Sequence, residues 1–313
     1  MTRLLVLTAL LAACGVDSGP DPATRWTEGR KPGKADLSDP RLVEVYRDSI
    51  LWLVTDDASH LTTLVQKVVP EIEDAYAFDT DYQGWANQEA LARPFEAAIA
   101  SDATMQAITG QAGGGISWDA DSFITDSTVL SDKPYDVSFE AFVLAHELEH
   151  MHMERLGVSE PAVPIYAFEG IACVTGDWFV NLRQVTGWEA LLRDEATGLA
   201  TMTADDGRDL FANFATTYGS NDRLYWREHV GGLFFEFVRA HLEADPDQIL
   251  PDWGRLTVAI AGGSTFEQAF LDSYGTSLAS AQAQFVTFLG ATLGDPHARF
   301  SGTVWEGFEP HGP

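Results

Sequence analysis

The stretch His146-Glu147-Leu148-Glu149-His150 follows directly on the apolar run Ala141-Phe142-Val143-Leu144-Ala145, and eighteen residues after His150 comes Phe168-Glu169-Gly170-Ile171-Ala172. On an α-helix, positions i and i+4 lie one above the other, so His146 and His150 project from one face and can share a metal ion. Glu147 lies about 100° further round the helix. There it flanks such an ion and is placed to take a proton from water. A hydrolytic zinc site needs three protein ligands and one open position. Glu169, on a following helix, is the residue that supplies the third. The pattern therefore reads as Zn²⁺ held by His146, His150 and Glu169, with Glu147 as general base.

The plain alternative is two surface histidines on a charged helix, since so short a pattern recurs by chance. Three features oppose it. The helix around the pattern is apolar, with Phe139, Phe142, Val143, Met151 and Met153 beside the histidines. A buried Glu147 between two imidazoles is costly to desolvate without a cation. Glu169 also stands at a spacing that a single turn-back connection satisfies.

The chain has 313 residues, enough for a sizeable core in one large domain or two lobes. It carries 47 acidic against 19 basic side chains, a formal net charge of −28. Nucleic acid and anionic membrane surfaces are repelled by such a chain, so no nucleic-acid partner is expected. The acids are dispersed (Asp56, Asp57, Glu71 to Asp74, Asp79, Asp81, Asp119, Asp121), which reads as a solvated surface. No complete Asp-rich calcium loop surrounds Asp119 and Asp121.

At the N-terminus Arg3 precedes the short apolar run Leu4 to Leu11, too short to span a bilayer as a mature helix. Leu11-Ala12-Ala13-Cys14 resembles a bacterial lipobox. That resemblance implies cleavage after Ala13, lipid on Cys14 and a place in the bacterial cell envelope, with Gly15 favouring the outer membrane. An ordinary secretory signal peptide fits the same cleavage. Only Cys14 and Cys173 exist, so a lipidated Cys14 leaves no intramolecular disulfide. Cys173, one helical turn beyond Glu169, reads first as a small buried core residue, with a thiol near the ligands as the alternative.

Residues 14–40 hold Gly19-Pro20, Pro22, Lys31-Pro32-Gly33 and Asp39-Pro40, and read as a flexible tether. Helical periodicity is expected through 41–112. Leu42, Val45, Tyr46, Ile50, Leu53 and Val54 mark one stretch, Leu61 to Val69 a second ending at Pro70, and Ala90 to Ala107 a third. Ile116 to Trp118 and Ser122 to Leu130 read as short strands. The histidine helix is expected from about Ser138 to Leu156 with Gly157 as its stop, and the next from Ile165 to Arg183. Later helices are expected at Trp188 to Asp194, Trp226 to Leu242, Thr265 to Tyr274 and Leu278 to Leu289, before an irregular tail.

His-Glu-x-x-His followed after eighteen residues by Glu in a Glu-Gly-x-Ala context resembles the gluzincin zinc metallopeptidases. Tyr225 to Phe237, Phe266-Glu267-Gln268-Ala269-Phe270 and Tyr274-Gly275-Thr276-Ser277-Leu278 resemble peptidase MA-like domains, extending the likeness over about Ile116 to Leu289. The resemblance implies an α+β, mainly α fold: a thermolysin-like core with a small sheet beside the metal-binding helix and a helical C-terminal lobe. The organisation expected is a signal peptide over 1–13, a lipidated tether over 14–40, a helical region over 41–112, a metallopeptidase domain over 113–290 and a tail over 291–313. Zinc-dependent hydrolysis of peptide or protein substrates is implied, with an oxyanion donor from Tyr225 or His229. Tyr218 is the next candidate.

The chain departs from the zinc aminopeptidases of that family in two ways. Phe168 replaces the Asn before the third ligand, and no Gly-x-Met-Glu-Asn motif is present. The family's acidic residue seven positions past the third ligand falls on Gly176, with Asp177 adjacent. Asp177 reads either as an orienter of a ligand histidine or as a surface aspartate. Glu149 and Glu154 read as the solvated side of the metal helix, and His152 as structural or exposed. His60, His241, His297 and His311 have no partner pattern. Two rivals remain open at the level of sequence: a surface lipoprotein that binds zinc or peptide without turnover, and a zinc hydrolase of non-peptide amides or esters.

Overall fold

A computed structural model describes residues 39–110, 115–126, 137–159, 162–182, 231–243, 245 and 248–293. The expectations for the leader, Cys14, the helix at Trp188 to Asp194, Tyr218, Tyr225, His229 and the tail from Gly294 lie outside these residues. The protein is mainly helical with a small mixed sheet, as the sequence suggested. Among the described residues no helix is long and apolar enough to cross a membrane. They form two compact units, one from 39–70 and 92–126, the other from 71–91 and 137 onward.

The first unit is a five-stranded sheet in the order β1-β2-β3-β5-β4, formed by β1 (Val43–Arg47), β2 (Leu51–Thr55), β3 (Phe95–Ala100), β4 (Gly115–Asp119) and β5 (Ser122–Asp126). The helices expected over 42–54 and 90–107 are corrected here. Asp48 accepts from the backbone N–H of Ile50 and Leu51, both at 2.7 Å, closing a tight turn between β1 and β2. A register shift between Glu44 and Tyr46 places an extra residue in β1, and that extra residue imitates helical spacing. In β3 every residue is buried between parallel neighbours β2 and β5. Such a strand loses the alternation that betrays strands at a surface, and its alanines favour helix on propensity alone. Leu42, Val54, Ala98, Ala100 and Ile124 pack with Met105 from helix Asp102–Thr109. The strands expected around Ile116 and Ser122 are present as β4 and β5.

Pro70 does not end its helix. A π-helical turn, Leu64–Val68, closes with the Val69 N–H on the Leu64 carbonyl and leads into helix Val69–Tyr82. Widening this turn accommodates a proline, which has no N–H and whose ring crowds the preceding turn.

In the second unit the histidine helix spans Val137–Arg155 and the following helix Ile165–Leu182, each within a residue or two of its expected bounds. Gly157 takes φ 87°, and the bonds Gly157 N–H to Glu154 O and Val158 N–H to Met153 O close the first helix in a Schellman motif. Pro164 opens the second, its carbonyl accepting from Ala167 and Phe168. These two helices are the most extensively packed pair in the unit. A Cβ on Gly176 would stand 2.7 Å from the Phe142 ring, so glycine permits their close approach.

Residues 231–242 are helical, ending in the π-helical turn Val238–Leu242. Helices Phe266–Tyr274 and Leu278–Leu293 follow, the second running four residues past the expected Leu289. Helix Ile249–Ala261 was not expected. Pro251, Gly254 and the β-branched Thr257, Val258 and Ile260 lower its intrinsic propensity. Packing overrides that, because a Cβ at Gly254 would stand 1.9 Å from the Gln83 carbonyl oxygen. Only glycine allows this contact.

Candidate metal centre

The two adjacent helices bring His146, His150 and Glu169 together. His146 Nε2 and His150 Nε2 are 3.0 Å apart; Glu169 Oε2 is 3.2 Å from the latter and 3.5 Å from the former. A tetrahedral zinc with bonds of about 2.0–2.1 Å separates its ligand atoms by roughly 3.3–3.4 Å. The triangle brackets that value, and among the described residues this is the one cluster of its kind that could hold a metal.

Local packing fixes both rings. Phe168 stacks on His150 with centroids 4.5 Å apart and an interplanar angle of 18°, while Phe142 lies 5.7 Å from His146. Phe168 thus places an aromatic face on a candidate ligand. Burial alone would raise the Glu169 carboxyl, but His150 and His146 outweigh it and hold the group well below the usual carboxylate range. Glu147 is buried directly beside His146. The backbone at Gly231 crosses the helix one residue beyond Glu169, where a Cβ on Gly170 would stand 2.2 Å from the Gly231 carbonyl carbon. His-Val-Gly-Gly at 229–232 is the sequence signal that could have marked this crossing.

The side of the histidine helix expected to be solvated is largely buried. Glu149 is fully buried, not solvated, and Glu154 is half-buried. Glu149 accepts from the Trp253 indole N–H at 3.0 Å, from the Thr175 hydroxyl at 3.4 Å and from the Gln83 amide. Burial raises its carboxyl to about 8 despite these donors. His152 is likewise buried, with Asp79 Oδ2 3.2 Å from its Nδ1 but without the alignment of a hydrogen bond. Burial, helped by the charge of Arg155, lowers His152 to about 3. Asp79, read as a surface acid, is pushed well up by burial and by Glu149.

Asp177 is neither a surface residue nor an orienter of a ligand histidine. It is 1% exposed, neither oxygen has a hydrogen-bond partner among the described residues, and burial with nearby Glu236 pushes its carboxyl well up. Cys173 is buried as expected, and its sulfur also lies 3.7 Å from His146 Nδ1. His60 pairs with Asp57 at 3.6 Å, and His241 rests against Phe237; neither belongs to the cluster. Compared with known protein families and with curated proteins, the chain matches none.

Proposed function

We propose that this protein is a zinc-dependent hydrolase of peptide bonds, with Zn²⁺ held by His146, His150 and Glu169 in a gluzincin-like core. The observation that carries the reading is the convergence of two imidazole nitrogens and one carboxylate oxygen within 3.5 Å, from two packed helices, beside a buried glutamate. Two neutral imidazoles and one carboxylate suit zinc and leave a position open. Zinc held there would supply the Lewis acidity that polarises a scissile carbonyl and lowers the pKa of water. Glu147 accepts the proton of the attacking water and delivers it to the leaving amine as the C–N bond breaks. The products are a carboxylate and an amine, so the proton balance closes on Glu147.

Tyr225 and His229 are proposed as oxyanion donors from the resemblance of their segment. The helix that follows them in sequence packs against Gly170 through Gly231. The lipobox-like Leu11-Ala12-Ala13-Cys14 supports anchoring in a bacterial envelope through lipid on Cys14.

The test is Glu147→Gln on the full chain, assayed for bound zinc and for cleavage of a peptide library. Metal is expected at the wild-type level with hydrolysis reduced by about 10²–10⁴-fold. Turnover at the wild-type rate would remove Glu147 from the mechanism. A wild-type protein that binds zinc and cleaves nothing would favour a binding role.

A further inference from the structure

An imidazole that offers Nε2 to a metal must carry its proton on Nδ1, and the group facing Nδ1 decides whether it does. For His146 that group is the sulfur of Cys173, 3.7 Å away and 3% exposed. Cys173 follows Glu169 by one turn on helix Ile165–Leu182, so one helical face delivers both the carboxylate and the sulfur. If the thiol donated to Nδ1, the ring proton would sit on Nε2 and block the lone pair that faces His150 and Glu169. With sulfur as acceptor, Nδ1–H points at Cys173 and Nε2 is free to ligate. His150 has no equivalent among the described residues: its buried Nδ1 has no hydrogen-bond partner there, and stacking on Phe168 holds the ring instead.

We propose that Cys173 is the positioning residue that keeps His146 in its metal-binding tautomer, in the place where carboxylates, carbonyls or water usually stand beside ligating histidines. A thiol is a weak acceptor, so it orients the ring while adding less basicity than a carboxylate would. The inference rests on the metal reading above and adds a determinant of metal affinity to it.

Two substitutions separate an acceptor from a space-filler, because the roles rank them oppositely. Cys173→Ser keeps an acceptor but adds a buried hydroxyl; Cys173→Val keeps an apolar side chain but accepts nothing. Zinc affinity would be measured by competition with a chromophoric chelator, together with the visible spectrum of the cobalt-loaded protein and the melting temperature of the metal-free protein. Cys173→Val is expected to weaken zinc binding about tenfold, the low end for losing such a partner, and to alter the cobalt spectrum. Cys173→Ser is expected to stay within about threefold of wild type, as loss of an equivalent acceptor is the source of the effect. If Cys173→Val does not fold, Cys173→Ala takes its place with the same expectation. Wild-type affinity in the apolar variant, or a larger loss in Ser than in Val, would overturn the role of Cys173 and leave the metal site standing. A wild-type chain that takes up no zinc would overturn both.

Discussion

Glu169 and Glu149 are glutamates buried in the same unit, and their surroundings leave them in opposite states. Glu169 is 13% exposed at its side chain and faces two imidazole nitrogens, which hold its carboxyl below the usual range. Glu149 receives only neutral donors, from Trp253, Thr175 and Gln83, and burial lifts it to about 8. At neutral pH the first is a carboxylate and the second is mostly an acid. A buried acid wrapped in neutral hydrogen bonds has been assigned to the architecture. One left ionised beside converging nitrogen atoms still has coordination to give. Glu149 lies on the histidine helix between His146 and His150, while Glu169 reaches the same two histidines from the following helix.

The largest stability effect should come from the architectural side. Glu149→Ala removes the acceptor that ties helix Ile249–Ala261, Thr175 and the segment at Gln83 to the histidine helix. Leaving buried donors unmade costs about 1–3 kcal/mol each, so a loss of about 3 kcal/mol is expected in chemical denaturation of the metal-free protein. A loss below about 1 kcal/mol, the net value of one ordinary hydrogen bond, would break the contrast, because Glu149 would then hold nothing together.

A smaller effect sharpens it. Asp177 shares the state of Glu149, its carboxyl raised by burial and by Glu236. A group whose folded pKa lies above its unfolded value stabilises the fold fully below the unfolded pKa, here 3.8, and loses that stabilisation as pH rises through the folded value. Relative to Asp177→Asn, the wild type should therefore lose stability as pH rises above 3.8 and until it passes the folded value, by about 1.4 kcal/mol for each unit separating the two. Denaturation midpoints of both proteins across that range check it. A constant difference between them would mean that Asp177 is not held protonated.

The cluster was legible because its residues follow helix geometry. The i, i+4 spacing of His146 and His150 is a statement about one helix, and Glu169 needed only a short return. Glu149 and Glu154 looked like the solvated side of the same helix because nothing local distinguishes a buried acid from a solvated one. The partners of Glu149 lie far away in sequence: Gln83 is 66 residues from it, and Trp253 is 104. The fold was legible where caps and glycines punctuate it, as at Gly157 and Pro164, and around the hairpin of β4 and β5. It was not legible where tertiary packing overrides local preference: in the alanine-rich β3, in the bulged β1, and in helix Ile249–Ala261, whose Gly254 is explained only by the backbone at Gln83.

The claim on which the rest depends is that His146, His150 and Glu169 hold one metal ion. Zinc per chain should be measured by elemental analysis, after dialysis against metal-free buffer, for the wild type and for Glu169→Ala. The expected result is about one zinc per chain in the wild type, as three ligands and an open position allow, and a large loss in Glu169→Ala while its fold persists. Equal zinc content in the two proteins, or none in the wild type after loading, would contradict the account.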